Sequence, residues 1–405
     1  MPIRTTSAAP SQAAEPPGPA EQAAEPLSPA ERAARGKGVR AQLRRSLLGA
    51  WEPGGDRPSP VQVLGEQDAT RVPELVPLRH SRMLESPFSF YRGGAAIMAA
   101  DLAQSPRTGL EVQLCGDAHL SNFGVFAAPD RSLVFSVNDF DETLPGPFEW
   151  DVKRLAASFA VAGRQREFSE AQRRSVVEIA VKEYRTALRE FAAMRDAEVW
   201  YARLPVAAIE RFDTGGKLRK SDGKQFDKAL AKAERKNSLR ALSKLTRREN
   251  GSTRIISDPP LIVPIEELTG EDDDRIREGL EALLSEYRFS LPADTRHLVS
   301  GYRYVHAARK VVGVGSVGTR AWIVLLQGRD DEDPLFLQAK EAQPSVLEPH
   351  LRPSRFKNHG RRVVEGQRLM QAASDIFLGW ICTDGIDGVS RDFYLRQLWD
   401  GKGSA

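Results

Sequence analysis

The chain has 405 residues, 41% of them hydrophobic and 28% charged, with a net charge of +3, so it is long enough for two or three compact units and too mildly basic to require a polyanionic partner. Two cysteines, Cys115 and Cys382, offer neither a disulfide framework nor metal-ligand spacing. No run approaches the ~18 apolar residues of a membrane span, and the N-terminus lacks the apolar core of a signal peptide, so the cytoplasm is the expected location.

Residues 1–38, rich in Ala, Pro and Glu, cannot bury enough surface to offset ordering entropy and are expected as a disordered tail. A short basic helix from Arg40 to Trp51 and a Pro/Gly-rich link from Glu52 to Pro60 follow. Val76–Gly94 mixes aromatics with arginines. There Arg79, Arg82 and Arg92 either meet phosphate or pack on their own aromatics and pair with carboxylates. Ala95–Gln104 reads as a helix feeding a strand, Leu110–Leu114.

Next comes Gly116-Asp117-Ala118-His119-Leu120-Ser121-Asn122, then a hairpin: strand Phe123–Phe126, turn Ala127–Ser132, strand Leu133–Val137, ending in Asn138-Asp139-Phe140-Asp141. With the turn centred between Asp130 and Arg131, Asn122 falls opposite Asp139. Facing residues on such a pair have Cβ atoms about 5 Å apart, close enough to serve one cation together. Asp141 would share that face diagonally.

Thr143–Pro147 reads as a loop and Phe148 to about Gly163 as a helix, with Asp151 a candidate N-cap, a role that leaves room for a second one. Ser169 to about Leu204 reads as one long helix whose Val176, Ile179, Ala180, Tyr184 and Leu188 are expected in the core. The insertion 211–249 holds thirteen Lys/Arg and five Asp/Glu, a net of +8. With Phe212 and Phe226 as its aromatics it has no stacking platform, so a solvated helical insertion is expected rather than a nucleic-acid site. A polar helix from Gly270 to about Tyr287 follows.

A G-x-G-x-x-G pattern, Gly313-Val314-Gly315-Ser316-Val317-Gly318, stands before Ala321–Leu326, which reads as a strand rather than the helix a dinucleotide site requires. A turn and a second strand, Leu335–Lys340, follow. A helix from about Gly360 to Ala373 carries Glu365, with Glu341 and Glu348 as competitors for the role of a partner to Lys340. Ile376–Trp380 and Phe393–Leu398 read as the last strands, the second where a hinge between lobes would lie.

An Asp, an Asn five residues on, a hairpin and an Asp-Phe pair is the order of parts in the catalytic loop and metal segment of kinases. Phosphoryl transfer needs a carboxylate to orient and deprotonate the attacking hydroxyl, and oxygen ligands for Mg²⁺ on the phosphates. Gly116–Asn122 resembles the corresponding loop of aminoglycoside and choline kinase-like enzymes, with Cys115 where those usually carry His. The glycine turn and the strand ending in Ala339-Lys340 resemble the small sheet that covers ATP phosphates. In combination, Ser86–Gly93, Leu114–Gly124, Arg309–Thr319 and Phe393–Leu398 look like the bacterial family catalogued as domain of unknown function 2252, from about Arg40 onward.

The family resemblance supplies no activity; the resemblance to kinases implies an α+β, protein kinase-like two-lobe fold in circularly permuted order. A mainly helical catalytic lobe, 39–300, precedes a β-rich nucleotide-binding lobe, 301–405. In this reading Asp117 is the base, with His119 and Asp151 supporting it, and Asn122, Asp139 and Asp141 hold Mg²⁺. Gly313, Gly315, Ser316 and Gly318 cover the phosphates of ATP, and Lys340 contacts them while Glu365 aligns it. The expected activity is an ATP/Mg-dependent phosphotransferase on an unidentified hydroxyl. Nucleotidyl transfer, or a non-catalytic nucleotide-binding regulator, are the alternatives.

Overall fold

The computed structural model describes residues 27–212, 238–249, 251–271, 273–398 and 403–404. It is an α+β arrangement in which every strand pair is antiparallel, and its strands are β1 (Glu111–Leu114), β2 (Phe123–Ala127), β3 (Leu133–Val137), β4 (Leu144–Pro147), β5 (Leu204–Pro205), β6 (Thr246–Glu249), β7 (Ser252–Ile255), β8 (Ile262–Pro264), β9 (Arg303–Lys310), β10 (Ala321–Gln327), β11 (Pro334–Ala342), β12 (Gly379–Asp384), β13 (Ser390–Gln397) and β14 (Gly403–Ser404). Six of them form the main sheet in the order β12-β13-β11-β10-β9-β8, and β14-β2-β3-β5 form a second. Among the described residues no helix is long and apolar enough to cross a membrane.

Every residue of β11 is buried, and alternation sends its side chains to two faces. Leu335, Leu337 and Ala339 join Leu284, Tyr287 and Leu291 from the helix Asp273–Phe289 and the turn after it. Between them, Phe336 packs with Ala241 and Leu245 of the helix Ser238–Leu245, and Ala342 packs with Phe140, Val363 and Tyr394. The second face therefore meets the segment that carries Asp139 and Asp141.

The β2–β3 hairpin pairs Phe123 with Val137 through Ala127 with Leu133. Its turn centres on Asp130, whose side chain accepts from the Ser132 N–H at 3.1 Å, and Arg131 takes the left-handed conformation at φ 65°. This moves the expected register by one residue. Asn122 stands opposite Asn138, whose N–H donates to its carbonyl at 2.8 Å, rather than opposite Asp139.

Several expected elements are corrected. Residues 144–147 are not a loop but β4, paired with β1; in a two-stranded ribbon Pro145 and Pro147 remove no bond from a further neighbour. A helix Pro29–Gln42 begins inside the expected tail, because Ser28 and Glu31 cap it reciprocally. Arg45–Gly49 is a 3₁₀ turn, not the end of a basic helix. The long helix after Ser169 ends at Ala193, and a second, Asp196–Tyr201, is started by the Arg195 N–H donating to Glu198 at 2.9 Å. Its expected core face is open: none of its residues is buried, and Ile179 is 56% exposed. The strand expected at 376–380 is β12, since the Asp375 side chain accepts from the Phe377 N–H and holds that stretch in a turn. Of the basic insertion, residues 213–237 lie outside the described residues.

Candidate active site

The Asp117 loop is fixed from below by the helix Phe148–Gln165. Asp151, in its first turn, accepts from the backbone N–H groups of Cys115 at 2.8 Å and Gly116 at 3.1 Å. The N-cap position belongs to Pro147, so Asp151 is a brace and not a cap. Burial pushes its carboxyl up to about 6, against the pull of those two N–H groups. Burial likewise pushes the Cys115 thiol far up. Gly116 sits at φ +85°, and a Cβ there would lie 2.2 Å from the Glu142 carbonyl oxygen, so no other residue fits.

One helical turn beyond Asp151, Arg154 donates to Asp117 Oδ1 from Nε at 2.9 Å and lies 2.7 Å away through a second nitrogen. Arg154 is itself held: its guanidinium lies 4.1 Å from the Tyr91 ring centroid and donates to the Tyr91 carbonyl at 2.8 Å, while the Tyr91 hydroxyl donates to the Arg154 carbonyl at 2.7 Å. His119 Nε2 stands 3.7 Å from Asp117, its ring edge-on to Phe88 at 6.5 Å. Burial lowers the His119 pKa despite Asp117. Asn122 uses its amide nitrogen to tie the carbonyls of Asp117, at 3.0 Å, and Asp139, at 2.9 Å. Its side-chain oxygen is the atom left for a ligand.

Lys340 comes from the other side, on β11, and is 2% exposed. Its Nζ donates to Asp139 at 3.1 and 3.2 Å and to Asp141 at 2.5 Å, across a sequence separation of about two hundred residues. The Tyr394 hydroxyl donates to the second oxygen of Asp141. Burial and then the nearby Asp139 raise the Asp141 pKa, against Lys340. Burial, with Asp139 and Asp141, also raises the Tyr394 phenol well above its ordinary value. Glu142, next in the chain, is pushed up to about 7 by burial, against Arg362.

A cavity of about 520 Å³ opens over these groups, lined by Asp117, His119, Asn122, Asp139 and Asp141 on one side and by Gly313, Gly315 and Ser316 on the other. Gly318 does not reach it: this glycine, at φ +89°, lies on the Arg71 side chain, and its carbonyl accepts from the Val72 N–H at 2.8 Å. The glycine loop is also tied down by Arg82, which donates to the Gly313 carbonyl at 2.7 Å, and by Arg71, which donates to Val317. Val314 packs with Leu64 and Met83, and Val317 with Val72 and Leu75. Of the three upstream arginines, Arg79 is spent on Asp68 at 2.6 Å and Gln67 at 2.9 Å, Arg82 on the glycine loop, and Arg92 lines the cavity.

Glu365 is not brought to Lys340. The helix His359–Met370 buries Arg362, Val363, Val364, Gly366 and Gln367, leaving Glu365 on its outer side, 3.9 Å from Arg368. Glu341 faces Arg320 at 3.3 Å and Arg391 at 3.6 Å, and Glu348 lies 3.9 Å from Arg362. The partners of Lys340 are the two aspartates. Arg362 instead clamps the backbone around them, donating to the carbonyls of Asp141, Thr143 and Gln343.

Sequence reasoning assigned no role to Arg154, Tyr394 or Arg396, which donates to the Asn138 carbonyl at 2.9 Å and to Gln338 at 3.2 Å. The spacing Asp151 to Arg154 puts both on one side of a helix, and Tyr394 and Arg396 alternate on one strand face, so the signal was periodicity. Among the described residues no three His, Cys, Asp or Glu converge as a metal centre of their own. Two carboxylates and an amide oxygen form a hard donor set that suits Mg²⁺ when phosphate oxygens and water complete the shell.

A family model for the family described as "uncharacterized protein conserved in bacteria (DUF2252)" matches residues 71–405, and the chain belongs to that family. No curated protein and no solved structure matches it.

Proposed function

We propose that this family member is a kinase-like phosphotransferase that uses ATP and Mg²⁺, with its catalytic loop ahead of its nucleotide-binding sheet in a circularly permuted two-lobe order. One observation carries the reading: Lys340, from the sheet, meets Asp139 and Asp141, from the hairpin, and those two aspartates line a cavity with Asp117, Asn122 and the glycine loop. The two motifs were unlinked in the chain, so their convergence is evidence that neither supplied alone.

In this mechanism the acceptor hydroxyl gives its proton to the Asp117 carboxylate. Its oxygen bonds to the terminal phosphorus of ATP as the bond from that phosphorus to the bridging oxygen breaks, and the electron pair leaves with ADP. Arg154 holds Asp117 by two contacts, so the carboxylate is aimed before the acceptor arrives. The Lys340 ammonium, buried against the two aspartates that line the cavity, is the group assigned to the phosphates. Asp139, Asp141 and Asn122 would hold Mg²⁺, which supplies neutralisation of the phosphate charge. Cytoplasmic residence belongs to the same reading, since Cys115 and Cys382 are both free thiols.

The test is calorimetric titration of the protein with ATP, with and without Mg²⁺, beside Asp139→Ala and Lys340→Ala. Micromolar, Mg²⁺-dependent binding weakened by both substitutions is expected, with ADP as the product once an acceptor is supplied. Release of pyrophosphate would move the reading to nucleotidyl transfer. A folded protein that binds no nucleotide would overturn it.

A further inference from the structure

We infer that Arg92 is an oxyanion-binding residue of the Asp117 cavity, placed to hold a phosphate-type group at the point where transfer occurs. It lies on the short helix Pro87–Gly93 and shares the cavity wall with Asp117, His119, Gly313, Gly315 and Ser316. The glycine loop presses onto this helix: a Cβ on Gly315 would come 3.2 Å from the Arg92 carbonyl oxygen. Arg92 is therefore seated beneath the loop that covers the cavity.

The other arginines on the cavity wall are already engaged, Arg71 with the Val317 carbonyl and Arg396 with Asn138 and Gln338. Among the described residues the Arg92 guanidinium makes no hydrogen bond and no ion pair, and its Nε is buried without a partner. A guanidinium carries five donors and stays charged in proteins, so taking it partly out of water without an acceptor is costly. Burial pulls its pKa down and the charges of Asp117 and Glu85 pull it up, which places it within the field of the proposed base. Unmet guanidinium donors at a cavity wall mark a place where a ligand supplies the acceptors. The planar fork suits phosphate oxygens. Two sources offer that chemistry: the terminal phosphate of the nucleotide, or a phosphate carried by the acceptor.

The nucleotide arm of the inference rests on the phosphotransferase reading; the phosphate arm stands alone. ATP, ADP and inorganic phosphate are titrated calorimetrically into the full chain and into Arg92→Gln and Arg92→Lys, with circular dichroism as the folding check. If Arg92 holds the terminal phosphate, Arg92→Gln weakens ATP by about tenfold or more and leaves ADP unchanged. If it holds an acceptor phosphate, both nucleotides bind as before, and inorganic phosphate no longer binds the ADP complex. Arg92→Lys, which keeps the charge without the fork, falls between and answers the question should Arg92→Gln fail to fold. Unchanged binding of all three probes overturns the inference. Arg92-dependent phosphate binding in a protein that ignores both nucleotides keeps Arg92 and sinks the phosphotransferase, whereas a wild-type protein that binds none of the three sinks both.

Discussion

On one face of the six-stranded sheet, Leu335, Leu337, Ala339, Phe393 and Leu395 bury against helix Asp273–Phe289 and its neighbours; on the other, Gln338, Lys340, Tyr394 and Arg396 bury against carboxylates, carbonyls and one another. The same two strands, β11 and β13, supply both. Apolar contact is non-directional, so the first face tolerates exchange of one well-sized side chain for another. On the second, Lys340, Tyr394 and Arg396 each donate to a named acceptor, and removing one leaves another group stranded. Between Ala339 and Lys340, apolar packing and the polar contacts of the candidate site are thereby separated by a single residue step along the strand.

Substitutions on the two faces should separate in the same way. The largest effect is expected at Lys340→Met, which strips Asp139 and Asp141 of their shared cation: turnover should fall by about 10²-fold or more in a protein that still folds. Leu337→Ala, three residues away on the opposite face, should instead cost about 3 kcal/mol in denaturant unfolding while nucleotide affinity below the transition stays as it was. A Lys340→Met protein that merely unfolds more easily, or a Leu337→Ala protein that folds and has lost turnover, would break the distinction.

A smaller effect belongs to pH. The folded-state pKa of Asp151 is raised to about 6, above the ordinary carboxylate value of 3.8, so the folded protein binds the extra proton between those limits. Its contribution to stability is therefore present below about pH 4 and lost as pH rises through about 6. Unfolding curves of Asp151→Asn should lack that decline, and one parallel to the wild type would assign the proton elsewhere. The smallest effect is expected at Glu365→Ala, on the outer side of its helix: stability within about 0.5 kcal/mol and unchanged turnover.

Legibility from sequence follows the range of the forces involved. Asp117, Asn122, Asp139, Asp141 and Lys340 could be named because each lies in a short pattern whose chemistry is local; the first four line one cavity, and Lys340 bonds to the two aspartates of the hairpin segment. The hairpin register was missed by one residue, because turn centring depends on the Asp130 side chain and on Arg131 adopting a left-handed conformation. Glu365 misled because helical spacing does not say which side of a helix meets the sheet; the bulk of Val363 and Val364 settles that. The clamp formed by Arg154 and Tyr91 joins residues 63 apart, and nothing local marks such a pair. Helix Glu170–Ala193 shows the converse: apolar residues at helical spacing fix a face, and not whether that face is covered.

The anchoring of the glycine loop bears on kinetics. Were this loop to lift as a flap, Val314 and Val317 would leave the clusters in which they are 9% and 0% exposed, at about 1.5 kcal/mol or more apiece, along with hydrogen bonds from Arg82, Arg71 and Val72. The two valines alone would hold the lifted form below about one molecule in a hundred. Traffic through the cavity then runs past a standing wall, so residence time is set by the contacts a bound molecule makes and not by the frequency of a moving cover.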